Sequence, residues 1–149
     1  IIPDYLEKPT LNKIKIMYGT HPFPSQNSIN GTKEIMKLLK SSTDDDLILN
    51  ILSGGGSSLL SLPAKGVTIE DKIETSNLLM KSGATIHDLN VVRKHISDIK
   101  GGLLAKCAYP ARIVSIIISD VVGDQINIIA SGPTASDSST FQELHLLFA

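Results

Sequence analysis

The chain of 149 residues has few aromatic residues and almost no cysteine: it contains three Tyr, three Phe, no Trp and one Cys. A lone cysteine, Cys107, cannot form an internal disulfide, so a reducing, cytoplasmic setting is the simplest expectation. Positive charge is not in excess either, since the formal net charge is −1. A dedicated nucleic-acid binder usually carries a basic surplus, so the sequence argues against nucleic acid as a partner.

Long hydrophobic runs are also missing. No apolar stretch is long enough to cross a bilayer, and no charged segment followed by an apolar one marks a signal peptide, so no membrane contact is expected. The length suffices for one domain with a real core. The first residues and the apolar segment 141–148 do not read as natural ends, which predicts that the chain is a piece of a longer polypeptide.

The most informative feature that is present is a serine- and glycine-rich loop at the end of an apolar run. Residues 47–52 read as a strand, and Leu59 and Leu60 follow the loop. Glycines let the backbone approach an anion, and the free N–H groups of a helix start can bind it. The pattern predicts a phosphate site, although a flexible linker would have a similar composition, and it matches neither the P-loop nor the dinucleotide fingerprint. The loop consists of Ser53, Gly54, Gly55, Gly56, Ser57 and Ser58.

Strand-like and helix-like segments alternate along the chain. The periodicity predicts strands over 13–18, 47–52 and 112–119, the last of them buried. Helices are expected from Asn27 or Ser28 to about Leu39, from Thr68 to Gly83, and from Thr85 or His87 onward. A further short helix is expected after Gly102, up to Tyr109. This alternation is typical of an α/β fold: a three-layer α/β/α, Rossmann-like arrangement with a mainly parallel sheet.

Ligands of such folds bind at the carboxyl ends of the strands, and several loops follow predicted strands. They cover residues 21–25, 53–58 and 120–124, and a fourth candidate, 130–134, comes shortly after. We therefore add His21, Ser131 and Gly132 to the candidate binding residues.

Charged residues near these loops supply the remaining candidates. Arg93, Lys94 and Lys100 could offset the charge of a phosphate or carboxylate, although cations are also favoured at any helix end. Asp120 and Asp124 could hold Mg²⁺ together with phosphate oxygens, although aspartate is common in ordinary turns.

The order and spacing of these segments resemble the N-terminal domain of the type II glycerate kinases, the group with a separate C-terminal MOFRL domain. The resemblance covers about Tyr18 to Thr134. It rests on the segments 19–24, 52–60, 66–72, 82–86, 90–102, 119–121 and 129–134.

The resemblance implies ATP-dependent phosphorylation of D-glycerate, usually to 2-phosphoglycerate, with a divalent metal. Residues 1–149 would then form part of the N-terminal α/β domain, with ATP, Mg²⁺ and D-glycerate as ligands, and a homodimer is compatible with it. Arg93, Lys100 and Asp120 would be catalytic. The glycine loop, His21, Lys94, Ser131 and Gly132 would bind substrate, and Asp120 and Asp124 the metal.

Two alternatives stay open from the sequence. One is a non-catalytic or isomerase-like module that binds a sugar phosphate. The other follows an older label of some relatives, hydroxypyruvate reductase, and the missing dinucleotide fingerprint argues against it. If the protein is a kinase, we expect this chain alone to be inactive, because one wall of a two-domain site cannot surround a phosphoryl group.

Overall fold

The computed structural model describes residues 1–119 and 121–148. Two short strands, β1 (Ile2–Pro3) and β2 (Tyr18–Gly19), precede helix α1 (Gln26–Lys40) and strand β3 (Leu47–Leu52). Four helices then lead to strand β4 (Arg112–Ile117): α2 (Gly56–Leu59), α3 (Ile69–Lys81), α4 (Ile86–His95) and α5 (Leu103–Ala108). A 3-10 turn (Ile129–Ser131) and helix α6 (Phe141–Leu146) follow.

Strands β3 and β4 form a parallel pair that runs from Leu47 opposite Arg112 to Leu52 opposite Ile117. Helices separate the two strands in sequence, as a parallel connection requires. The predicted α/β fold with parallel pairing is confirmed. Because both strands end at the same edge of the sheet, the glycine loop after β3 lies beside the segment after β4.

Helices α3 and α4 each begin with a capping box. The sequence predicts the one at the start of α3, and α4 has the same arrangement. Thr68 Oγ1 accepts a hydrogen bond from Asp71 N at 3.0 Å, and Asp71 Oδ2 accepts one from Thr68 N at 2.8 Å. Thr85 and Asp88 repeat the arrangement at 3.2 and 2.9 Å. These caps satisfy amides that a helix start leaves free, and they fix where each helix begins.

Two apolar clusters hold the elements together. One lies under the sheet, where Ile48 of β3 and Ile113 of β4 pack against residues of α1, α5 and the segments before them. The other joins α3, α4 and α6. The first cluster has Leu39, Leu60, Ile99, Leu104 and Ala108 at its centre, and the second has Leu79, Leu89 and Val92.

Two details of the predicted strands are wrong. Residues 13–17 are not a strand: only Tyr18–Gly19 pairs, with β1, while Lys15 bonds Glu34 of α1 instead. An alternating pattern forms a strand only where a partner strand lies beside it. The strand over 112–119 is also not fully buried, since one face of the β3–β4 pair carries exposed side chains: Leu47, Leu49, Ile51, Val114, Ile116 and Ile118.

None of the helices in the described part of the chain has the length and apolar character needed to span a membrane.

Candidate functional site

A cavity of about 440 Å³ opens at the carboxyl end of β3. The loop before α1, the glycine loop, α3, α4 and the turn at 128–130 surround it. From α3 the residues Lys72, Ser76 and Met80 face it, four positions apart and hence on one side of the helix. Ile86, Asn90 and Arg93 line it in the same way from α4.

The glycine loop approaches the cavity with its backbone. Gly55 has φ +78°, and a methyl group there would lie 3.0 Å from His21 Cδ2. Both the left-handed backbone and the close histidine ring therefore require glycine. In the hydrogen bonds of the described residues, the amides of Gly54 and Ser57 have no acceptor, whereas Gly56 N donates to Ser53 O.

The helix that follows the loop is too short to supply much charge. Helix α2 has 4 residues, Gly56–Leu59, and a macrodipole needs aligned peptides over several turns. Charge for an anion must therefore come from side chains rather than from a helix end. This replaces the helix-start argument that the sequence suggested.

Lys100 ties the base of the cavity together. Its ammonium donates to Ser57 O and Ala130 O, both at 3.0 Å, and to Ser57 Oγ at 3.4 Å. Ser57 Oγ in turn lies 3.3 Å from Ser131 Oγ. We call Lys100, Ser57, Ala130 and Ser131 the cavity floor. Because a lysine has three N–H donors, the floor uses all of those on Lys100.

The floor contains strained backbone. Ala130 and Ser131 have φ of +52° and +61°, a region that side chains disfavour, and Gly132 continues at +61°. Gly101 N and Gly102 N donate to Ser131 O and Gly132 O at 3.1 and 2.8 Å. The segment around Lys100 thus holds the strained turn in place from two sides. Strained backbone of this kind persists only where the surrounding structure holds it in place, and it is most common at functional sites.

Helices α3 and α4 carry two further cations that line the cavity, Lys72 and Arg93, which we call the cavity wall. Lys72 is 5% exposed, and within the part of the chain that the structure describes its buried Nζ has no hydrogen-bond partner. Arg93 is half-buried. The described residues provide no salt bridge to either side chain.

The three cations destabilise one another's charge. Burial, and then the repulsion of Arg93, lowers the pKa of Lys72 to about 8, although Asp98 opposes this. Burial also lowers the pKa of Lys100 well below its usual value, with added repulsion from Lys72 and Arg93. Like charges held together in a half-enclosed cavity favour the binding of an anion, which would offset all three.

The structure brings most of the predicted site residues together. His21, Arg93, Lys100 and the glycine loop line the cavity, and Ser131 supports its floor. Gly132 lies beneath the floor, where a methyl group would lie 3.0 Å from the backbone of Asn127.

Lys94 is placed differently from the expectation. It is buried on another side of α4, and its Nζ lies 3.1 Å from Asp137 Oδ1. Successive helix residues point about 100° apart, so Arg93 and Lys94 cannot face the same cavity. Lys94 therefore ties α4 to the segment before α6 and does not contact the cavity.

The two predicted metal ligands are not both near the cavity. Asp124 is exposed at a turn with φ +50° and does not line it, and Asp120 lies outside the described residues. Within residues 1–119 and 121–148, no group of three metal-binding side chains occurs.

Lys72 and Asn90 are among the cavity residues that sequence reasoning missed. Lys72 stands at the fourth position of α3, next to the capping residue Asp71. A lysine near the positive end of a helix is unfavourable and unusual, and that oddity was the available signal.

The fold and the cavity define a class: an α/β domain whose ligand cavity lies at the carboxyl ends of parallel strands and suits an oxyanion. The chain belongs to the family described as "Domain of unknown function (DUF4147)", whose model matches residues 1–148.

Similar proteins carry more specific names. The glycerate 2-kinase of Pyrococcus horikoshii is 49% identical over 133 residues, which are 89% of this chain and 30% of that protein. A relative from Agrobacterium vitis, whose name contains the words hydroxypyruvate reductase, is 45% identical over 88% of this chain and 34% of its own length.

A crystal structure described as glycerate kinase from Thermotoga maritima superposes with a TM-score of 0.95. It is 38% identical, and the match covers 98% of this chain and 35% of that one. The predicted resemblance to the glycerate kinases is confirmed, and the chain spans about a third of the length of these relatives.

Proposed function

We propose that this chain supplies one wall of the active site of a kinase that transfers the γ-phosphoryl group of ATP to D-glycerate. The observation that carries the proposal is the cavity in which a glycine loop faces Lys72, Arg93 and Lys100. The names of the relatives indicate the substrate. Phosphoryl transfer depends mainly on positioning and on neutralisation of charge, which this set of groups can provide.

In the proposed reaction the 2-hydroxyl oxygen of glycerate forms a bond to the γ-phosphorus, and the bond to the bridging oxygen of ADP breaks. The hydroxyl proton is released, and the products are 2-phosphoglycerate and ADP. Arg93 would contact the charged oxygens directly. Lys100 would act as a positioning residue, because its donors already hold the glycine loop to the turn at Ala130.

Asp120 is our candidate for orienting the attacking hydroxyl or for contacting Mg²⁺. In the sequence it comes three residues after Ile117, where β4 ends, whereas Asp124 lies on an exposed turn. We expect Asp120→Asn to raise the magnesium concentration for half-maximal activity much more than Asp124→Asn. Equal effects in a magnesium titration would contradict this ranking.

The function is tested with the full-length protein that contains this chain. A coupled assay with ATP, Mg²⁺ and D-glycerate should release ADP, and NMR of the product should show the phosphate on C2. NADH with hydroxypyruvate should give no oxidation, because the glycine loop lacks the dinucleotide pattern. Reduction of hydroxypyruvate without ADP release would overturn the proposal in favour of the reductase.

The same assay separates a kinase from a module that only binds sugar phosphates. Such a module would bind phosphorylated ligands but release no ADP above a control without glycerate. We also expect residues 1–149 alone to be inactive beside the full-length protein, since the chain spans about a third of its relatives. Comparable rates would show that it is a complete enzyme.

A further inference from the structure

We infer that Lys72, in addition to Arg93, contacts the ligand's oxyanion directly in this cavity, and that Lys100 instead supports the backbone around it. The inference rests on the proposed function only for the identity of the natural ligands. The group that Lys72 would contact is an oxyanion, and either a carboxylate or a phosphate of the ligand could provide it.

The first reason is that Lys72 has no role within the described fold. The residue is 5% exposed, yet its Nζ has no hydrogen-bond partner among residues 1–119 and 121–148. A buried ammonium without a partner is strongly unfavourable, and proteins avoid it unless something else binds there.

The second reason is the contrast with the other lysines nearby. Lys100 donates to Ser57 and Ala130, and Lys94 pairs with Asp137. Each of these has protein acceptors for its ammonium. Lys72 lines the same cavity as the glycine loop, and none of the described residues accepts a hydrogen bond from its ammonium.

The third reason is the charge around Lys72. Arg93 of α4 and Lys100 repel it, and the exposed Asp98 attracts it only in part. The neutral form is therefore unusually accessible in the empty cavity, and a bound anion would restore the charged form. Anion binding at Lys72 relieves three cations at once, whereas a contact at Lys94 would relieve none of them.

The test uses the full-length protein and three variants: Lys72→Met, Lys72→Arg and Lys81→Met. Lys81 is exposed at the other end of α3, so its variant removes the same charge from the same helix without touching the cavity. Calorimetric titrations with inorganic phosphate, with D-glycerate and with Mg²⁺-ATP measure binding, and thermal unfolding without ligand measures folding.

We expect Lys72→Met to weaken binding of at least one of these ligands by about tenfold or more, as loss of a charge-assisted hydrogen bond does. The ligand that is affected identifies the source of the oxyanion. Lys72→Arg should retain more of the affinity, and Lys81→Met should match the wild type. The melting temperature of ligand-free Lys72→Met should equal or exceed that of the wild type.

Three results would overturn the inference. One is wild-type affinity of Lys72→Met for all three ligands, and another is an equal loss in Lys81→Met. The third is loss of folding in Lys72→Met, because it would show that the ammonium has a structural partner. Failure of the proposed function is a separate result: a wild type that binds phosphate but does not phosphorylate glycerate still allows the phosphate titrations to decide the role of Lys72.

Discussion

The floor and the wall of the cavity both bury lysines, but the two lysines have opposite surroundings. On the floor, Lys100 is surrounded by carbonyl and hydroxyl oxygens at 3.0 to 3.4 Å. On the wall, Lys72 is nearly as buried, and no other residue in the described ranges forms a hydrogen bond with its Nζ. The difference teaches that burial of a cation in a cavity does not by itself assign it a role. A lysine with satisfied donors supports the backbone, and a lysine with free donors is available to a ligand.

The largest effect is expected from Lys100→Met, which removes the support of the floor. The carbonyls of Ser57 and Ala130 would lose their donor, and each unsatisfied buried group costs roughly 1–3 kcal/mol. The strained turn at Ala130 would also lose a restraint. We expect a lower free energy of unfolding in chemical denaturation and a fall in kcat/KM of about a hundredfold or more. Unchanged stability would remove the distinction between floor and wall.

Gly55→Val should affect the ligand nearly as strongly. The β-branched side chain is disfavoured at φ +78° and would collide with His21, so the loop must move away from the cavity. We expect nucleotide and glycerate affinity to fall below detection in calorimetry while the domain stays folded. Gly66→Val is the matched control, because Gly66 has φ +85° but no atom within 4 Å of an added methyl group. If both variants bind ligand equally, the loop does not form the site.

Arg93→Ala sharpens the comparison within the wall. Loss of a charge-assisted contact of roughly 1.5–3 kcal/mol should lower kcat/KM by about tenfold or more. Lys94→Ala, the neighbouring residue, should instead lower the unfolding free energy, because it breaks the pair with Asp137. Steady-state kinetics and chemical denaturation of both variants check this. Wild-type kinetics for Arg93→Ala would show that Arg93 does not contact the ligand and that its charge only stabilises the end of the helix.

A smaller effect is expected in the pH dependence of stability. The pKa of Lys72 is lowered to about 8 by burial, so between this value and its usual 10.5 the unfolded chain binds more protons than the folded one. The unfolding free energy of the ligand-free protein should therefore rise with pH across this range. At pH values below 8 Lys72→Met should be more stable by roughly 3 kcal/mol, from a shift worth about 1.4 kcal/mol per pKa unit.

The advantage of Lys72→Met should shrink as the pH approaches 10.5, since a neutral lysine no longer has a buried charge. Denaturation curves of the wild type and the variant at several pH values measure this difference in unfolding free energy. Because Lys100 is present in both proteins, its own pH-dependent contribution cancels in the difference. A constant difference between the two proteins would mean that Lys72 does not titrate in this range. Lys81→Met should follow the wild type throughout.

Much of this architecture could be predicted from local sequence. The strand Leu47–Leu52, the caps at Thr68 and Thr85, and the glycine that ends α3 each depend on residues close in sequence. The segment 13–17 could not be predicted, because whether an alternating segment pairs depends on which strand lies beside it. The open face of β3 and β4 depends in the same way on distant neighbours.

The candidate site was predictable in its loops but not in its side chains. The rule that ligands bind at strand ends located the glycine loop and the turn at 130–132. It could not show that Lys94 faces Asp137 or that Lys72 reaches the cavity, since both follow from how α3 and α4 pack. Nor could the sequence show that the donors of Lys100 are already occupied by protein carbonyls.

The most direct test of the division between floor and wall is a crystal structure of the full-length protein with an oxyanion bound, either phosphate or the nucleotide together with D-glycerate. We predict an anion oxygen within hydrogen-bond distance, about 2.7–3.2 Å, of Lys72 Nζ and close to the amides of the glycine loop. Lys100 should keep its bonds to Ser57 and Ala130. An anion that binds Lys100 directly, with Lys72 turned to a protein carbonyl, would contradict the account.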